Sequence, residues 1–190
     1  MKKVLAGILI FDMLLGILCL AVGTERYAEQ KSYGTYIETD TGVCGTSGEP
    51  KKIALTFDDG PSKTTPEVLA ALDAAGVHGT FFVVATGYNE KYLPLLTQAA
   101  AAGHQIALHS ASHEYSDIYR SSAAYWKDIA LLKQRIAPYV DAESIRYLRF
   151  PGGSTNTVSH RYGGNGIMKT LKAQAEDKGY HWIDWNVCAE

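Results

Sequence analysis

The sequence predicts an α/β fold assembled from parallel βαβ units. From residue 51 onward, short β-rich runs alternate with helical stretches of ten or more residues. Glycine or proline closes each helical stretch. The polar motifs Asp58-Asp59, His109, Arg149 and Asp184-Trp185 each fall at the C-terminal end of a predicted strand, where α/β folds build their sites. In chain order, 53–57 is a short apolar strand. Residues 66–75 are helical, with Gly76 as the C′ residue. Residues 80–84 form a β-rich run, and 90–102 a helix followed by Gly103. A strand over 105–109 comes next, then a helix over 123–137 that stops at Pro138. A strand over 147–150 stops at Pro151. The helix over 167–178 is followed by Gly179, and the last strand covers 181–187. That strand ends at the chain terminus with no helix to cover it. A closed barrel needs more strands, so the sequence is expected to be incomplete at its C-terminus.

The first 23 residues are expected to lie outside the fold. Lys2 and Lys3 precede a run from Val4 to Val22 that is apolar except for Asp12. Small residues at Ala21 and Gly23 suit a cleavage site. This reads as a signal peptide or an uncleaved signal anchor, and Asp12 favours the transient signal because a mid-membrane carboxylate is costly. The protein is therefore expected to be exported, either extracellular or anchored on the outer face of the cytoplasmic membrane. Residues 24–50 are polar and rich in Gly, Thr, Ser and Glu, and read as a linker. With 46% apolar and 20% charged residues the whole chain is ordinary for a globular protein, and its length suits one domain plus a targeting or linker segment. A net charge of −2 with no basic block argues against nucleic-acid binding. Cys44 and Cys188 are able to pair in an oxidising compartment or to stay reduced.

Two motifs carry the chemistry. Thr56-Phe57-Asp58-Asp59-Gly60-Pro61 places two carboxylates at a strand end, and His109-Ser110-Ala111-Ser112-His113 places two imidazoles four residues apart. One carboxylate and two neutral imidazoles make a ligand set for a divalent metal. Three protein ligands leave a position for water or substrate, as in catalytic rather than structural zinc sites. The remaining carboxylate is a candidate base. Read singly, Asp-Asp-Gly-Pro is usually a turn. The two histidines fit a solvated helix face, but flanking serines and the preceding strand favour a loop. Arg149 follows Tyr147-Leu148 in an apolar strand and suits a paired charge better than a surface one. Of Trp182 and Trp185, one is expected to face the barrel and the other the outer helices. His78, His104, His160 and His181 read as structural or surface residues.

These motifs resemble the polysaccharide deacetylases of carbohydrate esterase family 4, the nodulation-protein-B homology domain. Residues 56–61 match the family's first motif, and 109–113 its His-Ser/Thr-x-x-His motif. Arg149-Phe150-Pro151-Gly152-Gly153 matches its Arg-x-Pro motif, and Trp182-Ile183-Asp184-Trp185 looks like its fourth. The resemblance spans roughly residues 51–190 and implies a distorted (β/α) barrel, with about seven strands in the family. It implies metal-dependent removal of acetyl groups from N-acetylated sugars. Asp59, His109 and His113 would bind the metal, with zinc favoured and cobalt or nickel also suited to this donor set. Asp58 would be the base and Arg149 its partner. Gly152, after Pro151, would supply a backbone N–H to the developing oxyanion, and Trp185 would contact substrate. The family carries a bulky residue after the motif-three proline, where this chain has Gly152. Its general-acid histidine has no counterpart after His181 and is expected beyond residue 190.

The implied partner is a polysaccharide. Export favours N-acetylglucosamine of peptidoglycan, with chitooligosaccharide and acetylated xylan also within the family. Membrane contact is expected only through the N-terminal segment, and the protein is expected to be a monomer. Two other classes fit less well. An aspartate-nucleophile phosphatase uses Asp-x-Asp rather than adjacent aspartates and leaves His109 and His113 without a role. A non-catalytic wall-binding module on a decayed scaffold gains weight only if Glu190 is the true C-terminus.

Overall fold

A computed structural model describes residues 37–38 and 52–188. The expected signal segment, Cys44 and most of the expected linker lie outside the described residues. Ile37–Glu38 (β1), inside that linker, pairs antiparallel with Lys52–Ile53 (β2). The main sheet holds Thr56–Gly60 (β3), Thr80–Val83 (β4), Gln105–Leu108 (β5), Tyr147–Leu148 (β6) and His181–Trp182 (β7). Its strand order follows the chain, β3-β4-β5-β6-β7, and every pairing is parallel. The α/β expectation holds.

The helices are Thr65–Ala74 (α1), Leu95–Ala101 (α2), Tyr115–Ile118 (α3), Ser122–Ile136 (α4), His160–Gly163 (α5) and Ile167–Asp177 (α6). Helix α4 buries Tyr125, Ile129, Leu132 and Ile136, a stripe at helical spacing. Ser121 caps its first turn by accepting from the Ala124 N–H at 3.1 Å. Helix α6 buries Ile167, Met168, Leu171 and Ala175 in the same way. All four residues of β4 are buried, as in a parallel strand covered on both faces.

Several boundaries differ from expectation, each for a local reason. The strand expected over 53–57 divides, because Ile53 pairs with β1 and pairing with β4 begins only at Thr56. The helix expected over 90–102 is a 3₁₀ turn, Glu90–Tyr92, and then α2, which begins after Pro94. The strand expected over 181–187 stops at Trp182. Beyond Ile183, whose N–H still donates to the Leu148 carbonyl, the carbonyls of Ile183 and Asp184 accept from the Arg149 guanidinium. Helices α3 and α5 are one turn each, too short for a periodic signal.

The sheet curves. In a flat sheet β3 and β6 would stand about 14 Å apart, three strand spacings. Arg149, directly after β6, nevertheless reaches Asp58 on β3 at 2.6 Å and also meets residues following β7. Its guanidinium carbon lies 4.0 Å from the centre of the Phe82 ring on β4. The side chains pointing to this inner face therefore converge, as in a barrel wall.

Tyr125 sits wholly inside, against Tyr119 and Phe150. Its hydroxyl has no hydrogen-bond partner among the described residues. Tyr125→Phe removes a polar atom that gains nothing from burial. Chemical denaturation should show unchanged stability or a gain of up to about 1 kcal/mol.

Candidate metal centre

Adjacent residues of a regular strand point to opposite faces, yet both aspartates face His109. Between Asp58 and Gly60 the register of β3 against β4 shifts by one residue. Asp59 is the extra residue, with φ of 64°, and this bulge turns its carboxylate to the same end of the sheet as that of Asp58. His109 Nε2 lies 3.6 Å from Asp59 Oδ1 and 3.9 Å from Asp58 Oδ2. His113 Nε2 lies 3.3 Å from Asp59 Oδ1. The two imidazole rings are 5.1 Å apart, centre to centre.

The loop carrying the histidines is tightly specified. Ser110 and His113 hold φ of 77° and 55°, so every non-glycine residue with positive φ among those described lies in one of the two motifs. Such backbone persists only where its surroundings over-determine it. Ser110 Oγ accepts from the His113 N–H at 2.8 Å. The Asp128 carboxylate, reaching from α4, accepts from the N–H groups of Ala111 and Ser112 at 2.5 and 3.2 Å. The Arg-x-Pro loop is fixed similarly. Asp184 accepts from the backbone N–H and the hydroxyl of Ser154 at 2.9 and 2.6 Å. Tyr119 donates its hydroxyl to the Pro151 carbonyl at 2.7 Å.

Asp59, His109 and His113 offer ligand atoms that all lie within 4.8 Å of one another. The chemistry of this donor set fits a divalent metal. His109 Nδ1 is 2.7 Å from the Arg149 carbonyl oxygen, which can only accept. The ring proton therefore sits on Nδ1 and the Nε2 lone pair faces the carboxylates, the outer-shell arrangement of a ligating histidine. Burial pushes the His109 pKa down, and Asp58, the Arg149 carbonyl and Asp59 pull the other way. The net direction favours the neutral imidazole that a metal requires.

The two carboxylates occupy different environments. Asp59 is 59% exposed, whereas Asp58 is 27% exposed and held from behind by Arg149, itself 2% exposed. Arg149 donates to Asp58 Oδ1 at 2.6 Å and to Thr56 Oγ1 at 3.1 Å from one nitrogen. From its other nitrogens it reaches the carbonyls of Ile183 and Asp184 at 2.9 and 3.4 Å. Phe82 and Trp185 flank its plane. Arg149→Met should lower stability by about 3 kcal/mol, the low end for breaking a buried pair because Asp58 keeps access to water. A shift in the denaturant midpoint measures it.

The remaining candidates lie nearby. Trp185 is 43% exposed with its ring toward Arg149. Trp182 instead meets α6, donating to Glu176 at 3.3 Å beneath Lys172. Pro151 is buried and Gly152 is exposed with φ of 77°. His104 is a structural residue whose Nδ1 accepts from the Gly79 N–H. Sequence reasoning placed Asp184 in a strand-end motif without its bracing role, and missed Asp128 and Tyr119, which also hold the two loops, and Tyr115. The Tyr115 ring stands edge-on to His113 at 5.7 Å, and burial together with Asp59 pushes its phenol pKa up.

Residues 45–167 match the family model described as polysaccharide deacetylase. The chain belongs to the polysaccharide deacetylase family. This family member is 30% identical over 143 residues to a peptidoglycan-N-acetylglucosamine deacetylase of Bacillus cereus, covering 74% of this chain and 48% of that protein. It is 31% identical over 140 residues to a chitin deacetylase of a Pestalotiopsis species, covering 73% of this chain and 42% of that protein. The chain thus spans about half the length of the curated relatives it matches. Among solved structures, the catalytic domain of peptidoglycan N-acetylglucosamine deacetylase from Eubacterium rectale superposes with a TM-score of 0.67 at 39% identity, over 78% of this chain and 66% of that one. That likeness agrees with the barrel-like curvature described above.

Proposed function

We propose that this protein hydrolyses N-acetyl groups from a cell-wall polysaccharide, with N-acetylglucosamine of peptidoglycan as substrate and zinc as the working metal. The observation that carries the reading is the division between Asp58 and Asp59 around His109. One carboxylate joins two imidazoles in a ligand set, and its neighbour is kept apart by an arginine. Asp59, His109 and His113 would hold the metal. When bound there, a divalent ion supplies Lewis acidity toward the acyl carbonyl and lowers the pKa of water.

The chain's own residues do the rest. Asp58 takes the proton from the attacking water at the oxygen that Arg149 leaves open, Oδ2. Arg149 fixes the carboxylate so that this oxygen points into the site. The Gly152 N–H, in the loop braced by Asp184 and Tyr119, donates to the acyl oxygen as it gains charge. Trp185 offers an aromatic face to a sugar ring at the rim.

The names of the Bacillus cereus and Eubacterium rectale relatives support the peptidoglycan substrate. The Pestalotiopsis relative supports chitooligosaccharide as the second reading. The N-terminal pattern supports export. Among the described residues no helix is long and apolar enough to cross a membrane.

The test is acetate release from purified peptidoglycan and from N-acetylglucosamine oligomers, before and after chelation and with zinc, cobalt or nickel restored. Release that survives complete chelation would defeat the metal assignment. Release from neither substrate would defeat the function.

A further inference from the structure

Gly152 and Tyr115 compete for the same space. A Cβ on Gly152 would stand 2.6 Å from the Tyr115 hydroxyl oxygen and 3.2 Å from its ring. Contacts under 3 Å are essentially never made by real Cβ atoms, so the phenol fills the volume that any other side chain at 152 would take. Glycine is thus favoured there twice, because a side chain would have to displace the phenol and because φ is 77°.

Tyr115 is not merely core packing. Its ring is half-buried, edge-on to His113 and tilted against Tyr119. The nearby Pro151 carbonyl already accepts from Tyr119 at 2.7 Å and is approached by the Asn156 amide at 3.5 Å. Among the described residues the Tyr115 hydroxyl makes no hydrogen bond, and neither does the Gly152 N–H. Two donors without protein acceptors therefore lie side by side, one residue from Pro151 and two residues from His113. A phenol combines an apolar face with one directional donor, which suits it to a sugar ring carrying polar substituents.

We propose that Tyr115 is a substrate-contacting, specificity-determining residue, its ring walling the site beside Gly152 and its O–H donating to the N-acetylated sugar unit. The proposal rests on the deacetylase reading above. Gly152 is then the residue that makes room for the phenol, and the wall of the site comes from the histidine loop rather than from the Arg-x-Pro loop.

The experiment uses the metal-loaded protein carrying Asp58→Asn, so that ligand is bound without turnover. A tetramer of N-acetylglucosamine is titrated into this parent and into the same protein with Tyr115→Phe. Phenylalanine keeps the ring against His113 and removes only the hydroxyl. The expected result is a Kd raised about 2- to 13-fold, the ordinary worth of one neutral hydrogen bond, with metal content and Tm unchanged. Equal affinity for the tetramer overturns the proposal. So does loss of metal or a lowered Tm in the phenylalanine variant, which would make Tyr115 a support for His113. A parent that does not bind the tetramer defeats the deacetylase reading as well, whereas a parent that binds and a variant that binds equally sink Tyr115 alone.

Discussion

Asp58→Asn should lower acetate release by roughly 10²–10⁴, the usual contribution of a positioned base, while the metal stays bound. Asparagine keeps the shape of the side chain and can still accept from Arg149 through its amide oxygen. It cannot take a proton from water. The three ligand atoms belong to Asp59, His109 and His113, none of which this substitution touches. Metal content by elemental analysis and turnover on the same sample separate the two functions. Loss of metal together with activity would make Asp58 a ligand and leave the reaction without its assigned base.

The His109→Ala/His113→Ala pair should abolish stoichiometric metal binding and all metal-dependent turnover. Two of the three ligands disappear, and Asp59 alone is an exposed carboxylate on a strand end. The fold should largely persist. His113 lies in a loop, and the backbone of that loop is held by Ser110 and Asp128 rather than by the imidazoles. Removing His109 does leave space beside Phe82, so a modest fall in Tm is expected. One equivalent of tightly held metal retained in the double variant would overturn the ligand assignment.

The chemical residues were readable from the sequence because their types and spacings are unusual together. Adjacent aspartates at a strand end, paired histidines and an arginine inside an apolar run have few joint explanations. The parts that hold them were not readable. Asp128 stands on a helix among ordinary polar residues, and nothing local distinguishes it from a solvated carboxylate. Only the packing of α4 beneath the histidine loop brings it to Ala111 and Ser112. Asp184 and Ser154 meet across thirty residues, and the tie exists only once β7 lies beside β6. The main strand error has the same origin. Ile53, Ala54 and Leu55 form an apolar run that suits a strand, and the identity of the strand's neighbour decides where each ladder begins. The bulge at Asp59 was also invisible, since strand alternation alone sends the two carboxylates apart.

That bulge lets one residue type do two jobs. Asp58 and Asp59 are the same residue, made by the same chemistry and separated by one peptide unit. Their difference is carried by the bulge, in which Asp59 takes a φ of 64°, so that one carboxylate meets an arginine and the other meets solvent and two imidazoles. The two duties need no second side-chain type, only a bulge that interrupts the alternation of the strand. Deleting one of the two aspartates would remove the bulge and leave a single carboxylate to serve as both ligand and base.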